Sequence, residues 1–185
     1  MKKVTRCHFY KMVKTTFQNL SDEKKKRVSD ALLKEFSTYP LAEAQVARIV
    51  KDAQIARGAF YKYFDDLEDA YKYIYKQAIR NIHLGVGQMI HEFDPKMFYQ
   101  KTTDFIDKAS DSNYYDLIKL HLSRNQPLIN PKIAEESRKT LHLNAQIWSA
   151  MVLSHEVVKL VLFDPENKKQ YLERYRTSLN LLKER

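Results

Sequence analysis

VARIVKDAQIARGAFYKYF, residues 46–64, is the stretch on which the fold turns. Two short helix-forming runs flank Asp52, Ala53 and Gln54, which make a turn of three or four residues. Two short helices joined in this way form a helix-turn-helix when the second is presented outward. Ile49 and Ile55 are placed to hold the pair together, and Ala53 allows close approach at the turn. Along the second helix, expected at about 56–63, Ala56, Arg57, Ala59, Lys62 and Tyr63 are candidates for the outer surface. Small residues let the backbone enter a major groove. Arg57 reaches a base edge or a phosphate, and Lys62 most simply a phosphate.

Upstream, Ser21 opens a first clear helix, with Asp22 and Glu23 suited to the positive end of its dipole. Val28, Ala31, Leu32, Glu35 and Phe36 follow as a mostly apolar stripe at helical spacing. Tyr39–Pro40 ends it, and a second short helix is expected at about 42–51. Asp65 and Asp66 are natural caps for a fourth helix over Leu67–Ile82. Residues 1–20 form a basic extension, either an arm or an extra turn or two packed on the first domain.

The segment 25–75 resembles the DNA-binding domain of the tetracycline-repressor (TetR) family of bacterial transcriptional regulators. The resemblance rests on Ala31 with Phe36, on Val46 with Ile49, and on Ala53, Ile55, Gly58, Phe60, Tyr61, Tyr63 and Phe64 after the turn, followed by Glu68. The GAFYKYF ending matches the family's glycine-hydrophobic-tyrosine-x-tyrosine/histidine-phenylalanine pattern. It implies that Gly58 lets the recognition helix sit near the DNA backbone, that Tyr61 and Tyr63 flank phosphates, and that Phe60 and Phe64 pack inward. The chain departs from the family at Gln54, where glycine is usual, and at Ala56, where a serine or threonine cap is usual. Leu67 replaces a lysine that contacts phosphate in many relatives, beside the carboxylates Asp65 and Asp66, and Asp52 adds charge of the same sign near the turn. Lys62 and Lys72 are placed to compensate. The candidate DNA-contacting set is Gln45, Ala56, Arg57, Ala59, Tyr61, Lys62, Tyr63 and Lys72.

The charge distribution agrees with such a head. The 185 residues carry 32 Lys and Arg against 23 Asp and Glu, a net +9. Residues 1–64 hold 14 basic and 6 acidic side chains, whereas 65–185 hold 18 and 17. A basic module followed by a nearly neutral one suggests a nucleic-acid partner plus a different task behind it.

No alternation of the β type persists, and glycines at 58, 85 and 87 cannot punctuate a many-stranded sheet. The fold class expected is all-α: a helix-turn-helix head at 21–66, then a helical effector and dimerisation domain at 67–185. Breakers at Asp94–Pro95, Asp111, Pro127, Pro131 and Asp164–Pro165 divide the latter into helices near 96–109, 112–125, 132–163 and 166–183. The third would be about 48 Å long. Its second half is apolar around much of its circumference, and Leu172, Tyr175, Leu179 and Leu182 stripe the last helix. These surplus faces point to a homodimer, with Trp148, Val152 and His155 beside the four residues of that last stripe as interface candidates.

By the resemblance, the middle helices would enclose a small-molecule effector pocket, with Met89, Phe93, Phe98, Phe105, Tyr114, Tyr115, Ile118, His121 and Trp148 as candidate lining groups. The expected partners are therefore double-stranded DNA, a second copy of the chain and a small effector, in the arrangement of a repressor on a palindromic operator. The competing reading is a helical dimeric adaptor whose degenerate head binds protein and which takes no small ligand. One cysteine makes neither a disulfide framework nor a thiolate metal cage, the histidines lack HxxxH or HExxH spacing, and no phosphate-cradling glycine loop or nucleophile arrangement occurs. An enzyme, a cofactor and a metal are accordingly not expected. The first twenty residues lack the apolar stretch of a secretory signal, and no run approaches about 18 uninterrupted apolar residues, so a cytoplasmic protein without a membrane span is expected.

Overall fold

The computed structural model describes residues 13–82, 92–126 and 142–183. The described residues are helical, without strands, and form two compact units that divide between Ala78 and Ile79.

In the first unit α1 covers Thr15–Gln18, α2 Asp22–Thr38, α3 Val46–Asp52 and α4 Arg57–Tyr63, and α5, Leu67–Ile82, carries the chain towards the second unit. Ser21 caps α2, its hydroxyl accepting the Lys24 N–H at 3.4 Å, and Tyr39 leaves the helix in an extended conformation ahead of Pro40. The expected stripe is the buried face: Val28, Ala31, Leu32 and Phe36 are all inside, with the Phe36 ring edge-on to Tyr71 at 5.1 Å. Each large apolar side chain buried there contributes about 1.5–3 kcal/mol. Asp66 caps α5 by accepting the Asp69 N–H at 2.8 Å, and the Asp69 carboxylate accepts the Asp65 N–H at 3.1 Å in return. Burial raises the Asp69 carboxyl above its ordinary range.

Glu35 is the polar member of the α2 stripe, and it is 4% exposed. Its carboxylate accepts both Nε and Nη2 of Arg48, at 2.6–3.0 Å, and also the backbone N–H of Gln45 at 2.7 Å. Arg48 Nη2 donates further to the Glu43 carbonyl, and its guanidinium lies 3.8 Å from the Tyr39 ring centroid. This corrects the continuous helix expected at 42–51. The Gln45 amide is claimed by Glu35, Gln45 is extended, and the segment divides into a 3-10 turn at Leu41–Glu43 and then α3. The extension 13–20 likewise packs rather than trails: Phe17 is buried, its ring 5.2–5.6 Å from those of Tyr63 and Phe64. Residues 1–12 lie outside the described residues.

In the second unit α6 spans Pro95–Ser110 and α7 Tyr115–Leu120, which runs on as a π turn through His121–Asn125. Asp94 caps α6 with Pro95 in its first turn. The helix expected at 132–163 is shorter where it is described. Asn144 caps it, accepting the Ile147 N–H at 2.8 Å, so α8 is Ala145–Phe163, 19 residues and about 28 Å long. Residues 127–141, with Pro127 and Pro131, lie outside the described residues. A 3-10 turn at Pro165–Asn167 then leads into α9, Lys168–Lys183.

The core of this unit joins α6, α8 and α9 around Phe98, Ile106, Ile147, Val161 and Leu179. Tyr175 reaches into it with its hydroxyl between Thr102 Oγ1 at 3.0 Å and Ser154 Oγ at 2.6 Å, which satisfies three buried or half-buried polar groups together. Among the described residues α8 alone has the length and apolarity of a membrane span, yet it buries Ile147, Ala150, Val157 and Val161 in its own unit and carries Glu156 and Lys159.

Replacing Glu35 with Ala strands the Gln45 N–H and removes the clamp on Arg48. Urea unfolding of Glu35→Ala is expected to show a loss of about 2 kcal/mol or more, with Glu35→Gln intermediate.

Candidate nucleic-acid interface

The helix-turn-helix is built from α3 and α4. Ile49 and Ala53 are fully buried between them and Ile55 half-buried, as their spacing implies. At the turn the N–H of Gln54 donates to the Lys51 carbonyl and that of Ile55 to Val50. Gln54 sits at φ 53°, in the left-handed region, the one non-glycine there among the described residues. Here a side chain has been retained where the backbone favours glycine, at a cost of about 1–2 kcal/mol. Ala56 occupies the α4 cap with no side-chain hydrogen bond.

Phe60, Tyr63 and Phe64 turn α4 inward. This corrects the placement of Tyr63 on the outer face: it is only 4% exposed, because Phe17 of α1 covers its ring. Arg57, Gly58, Tyr61 and Lys62 remain on the outside, with Ala56 exposed and Ala59 half-buried. Arg57 Nη2 donates to the Tyr61 hydroxyl at 3.4 Å, so the two project together from successive turns. A methyl group built on Gly58 would meet nothing within 4 Å among the described residues, so no packing among them explains a glycine there. The Gln45 side chain is exposed at the start of α3.

The carboxylates expected to oppose DNA are mostly engaged inside the unit. Asp52 pairs with Lys34 at 2.7 Å, Asp65 with Lys14 at 2.6 Å, and Asp66 caps α5. Lys72, expected as a compensating phosphate contact, is instead ion-paired with Glu68 one turn back. Sequence reasoning missed both long-range clamps, Glu35 with Arg48 and Asp65 with Lys14. A glutamate in an otherwise apolar stripe was the available signal for the first.

The expected effector-lining set divides by burial in the second unit. Phe98 and Ile118 are core, which corrects their assignment to a pocket, and Trp148 is 49% exposed, which places it outside any interior. Phe93, Phe105, Tyr114 and Tyr115 are half-buried against the core, the Tyr115 hydroxyl donating to the Leu162 carbonyl and that of Tyr114 accepting from Asn81. Burial pushes the His121 imidazole down to about 4 from the ordinary 6.5, so it is neutral at pH 7. Met89, with His83 and His91, lies outside the described residues.

The interface set divides too. Trp148, Val152 and His155 are exposed along one stripe of α8, joined by Phe163. Tyr175 and Leu179 are buried in their own unit, with Leu172 and Leu182 packed against that core, so the α9 stripe faces inward rather than towards a partner.

No family model matches the sequence, and no curated protein does. Two of the solved structures that share the fold are described as transcriptional regulators. One is a TetR family transcriptional regulator from Chloroflexus aurantiacus, with a TM-score of 0.54 and 19% identity over 92% of this chain and 96% of that one. The other is a putative transcriptional regulator from Streptomyces coelicolor, with a TM-score of 0.53 and 18% identity over 86% and 97%. The chain thus shares the fold of these two structures.

Gln54→Gly removes the left-handed strain at the turn. Thermal unfolding is expected to show a gain of about 0.5–1 kcal/mol, the extra freedom of glycine in the unfolded chain offsetting part of the relief.

Proposed function

We propose that the protein is a dimeric, one-component transcriptional regulator, a cytoplasmic repressor that reads a palindromic DNA operator through α4. The observation that carries this reading is the outer face of α4. Arg57, Tyr61 and Lys62 project from it beside a glycine that no packing among the described residues requires, on the most basic part of the chain. Gly58 suits a helix whose backbone approaches a phosphate closely, and Arg57 with Tyr61 offers a paired donor set for a base edge and the sugar-phosphate rim. Gln45, Ala56 and Ala59 complete the contact surface, and Tyr63 supports it from beneath.

Two recognition helices must lie about 34 Å apart to enter successive major grooves, which calls for a two-fold partner. The exposed apolar stripe of α8, Trp148, Val152 and Phe163 with His155, supplies the surface for it, and Leu181 of α9, 61% exposed, extends the apolar material available. The half-buried aromatics Phe93, Phe105, Tyr114 and Tyr115, with the neutral His121, support a seat for a small, largely apolar effector. Such a ligand releases DNA by preferring one subunit geometry over the other.

Genomic fragments selected on the full-length protein supply the operator for two tests. Arg57→Ala is expected to weaken binding about tenfold to a hundredfold and to relax preference at one base position. Lys62→Ala and Tyr61→Ala weaken it evenly across sequences, as read by fluorescence titration. Unchanged binding in all three variants would reject the DNA-reading assignment.

Trp148→Glu is expected to leave the helical content intact and to shift sedimentation towards monomer, whereas Leu179→Glu, at a buried site, unfolds the second unit. A Trp148→Glu protein that sediments unchanged would remove α8 from the interface.

A further inference from the structure

α4 is seven residues long, and a helix that short is not held by its own hydrogen bonds. Phe60 and Tyr63 anchor its inner side in the core. The carbonyls of its last turn have no partner inside the helix and must find one elsewhere. Lys14 meets two of them. Its backbone N–H donates to the Tyr63 carbonyl at 3.2 Å and its ammonium to the Tyr61 carbonyl at 2.9 Å. The same ammonium pairs with Asp65 at 2.6 Å, and a cation at this end also suits the helix dipole.

Lys14 is itself fixed. Its carbonyl accepts the Phe17 N–H at 2.9 Å, Gln18 Nε2 donates to the Val13 carbonyl at 3.0 Å, and the Phe17 ring is buried among Tyr63, Phe64 and Tyr73. An exposed ion pair alone is worth little. Here it aims an ammonium whose backbone is already anchored. The residue held by this cap is Tyr61. Lys14 fixes its carbonyl, the Phe60 ring stands edge-on to its ring at 5.3 Å, and its hydroxyl accepts from Arg57 at 3.4 Å. Side chains ordered before binding lose less freedom when a partner arrives.

We propose that Lys14 is a positioning residue for the DNA-reading face: it caps the last turn of α4 from α1, its charge taken up by Asp65, and so orients Tyr61 and Arg57 without itself contacting phosphate. The inference rests on the DNA-binding reading above. It gives Asp65 a use as well. The carboxylate that the sequence alone marks as a source of repulsion aims and neutralises the capping cation.

The test uses the full chain and two fluorescein-labelled duplexes of about 30 base pairs, one a genomic fragment selected on the parent and one of mixed sequence, titrated between about 50 and about 200 mM KCl. K14M/D65N and K14Q/D65N remove the cap without changing net charge. Both are expected to bind the selected duplex about fivefold to tenfold more weakly, with the log–log salt slope of the parent. Affinity for the mixed duplex, which depends on charge number rather than geometry, should change by less than about twofold. Lys62→Ala, by contrast, should flatten the slope by about 0.9 on both duplexes. Hydrogen exchange over residues 57–64 should quicken in both double variants, and circular dichroism should show each as helical as the parent. Parent-like affinity for the selected duplex, an equal loss on both duplexes, a slope flattened as in Lys62→Ala, unchanged exchange over 57–64, or loss of helix in both double variants overturns the positioning role while leaving α4 as the reader. A parent chain that retains no genomic fragment at about 50 mM KCl overturns the DNA-binding reading itself, and the inference with it.

Discussion

The first unit is organised around one buried carboxylate. Glu35 sits where the periodicity of α2 calls for an apolar side chain, and it is tolerated because Arg48 meets it with two nitrogens and Gln45 with its backbone amide. A charge taken out of water without such partners is strongly destabilising, so the carboxylate dictates where α3 begins and which way its first turn faces. The Tyr39 ring stacked on the guanidinium then ties the end of α2 to the same point. α2, the 3-10 turn and α3 are thereby set relative to one another before α4 is reached. α4 inherits its orientation through Ile49 and Ala53.

Much of this was legible from local signals. Ser21 and Asp66 read as caps because a cap spans only three residues, and Phe60 and Phe64 read as core through the family pattern that GAFYKYF resembles. The features that escaped are settled by distant neighbours. Gln45 interrupts a helix because of a residue ten positions earlier. Tyr63 is covered by the ring of Phe17, which no helical wheel contains. The α9 stripe shows the same limit from another side. An apolar stripe states that something covers it, but not whether the cover comes from the same chain. Asn144 was a missed local signal, since asparagine ahead of a helix-forming run is a regular cap.

The head is less hostile to a polyanion than the positions of its aspartates suggest. Asp52, Asp65 and Asp66 stand near the proposed DNA face, and each is committed elsewhere: to Lys34, to Lys14 and to the amide of Asp69. Arg57 and Lys62 stay outward on α4. The arrangement separates charges that shape the domain from charges left for a partner. Lys72 falls in the first group through Glu68.

Trp148 is the one tryptophan in 185 residues, and it stands half in solvent on the α8 stripe. The chain therefore carries its own optical probe at its proposed assembly surface. In the lone subunit the indole is wet and its emission long in wavelength. Covered by an apolar neighbour, it shifts to the blue and is shielded from iodide. Dilution can then be followed on the unlabelled protein by one side chain, free of any background from a second indole.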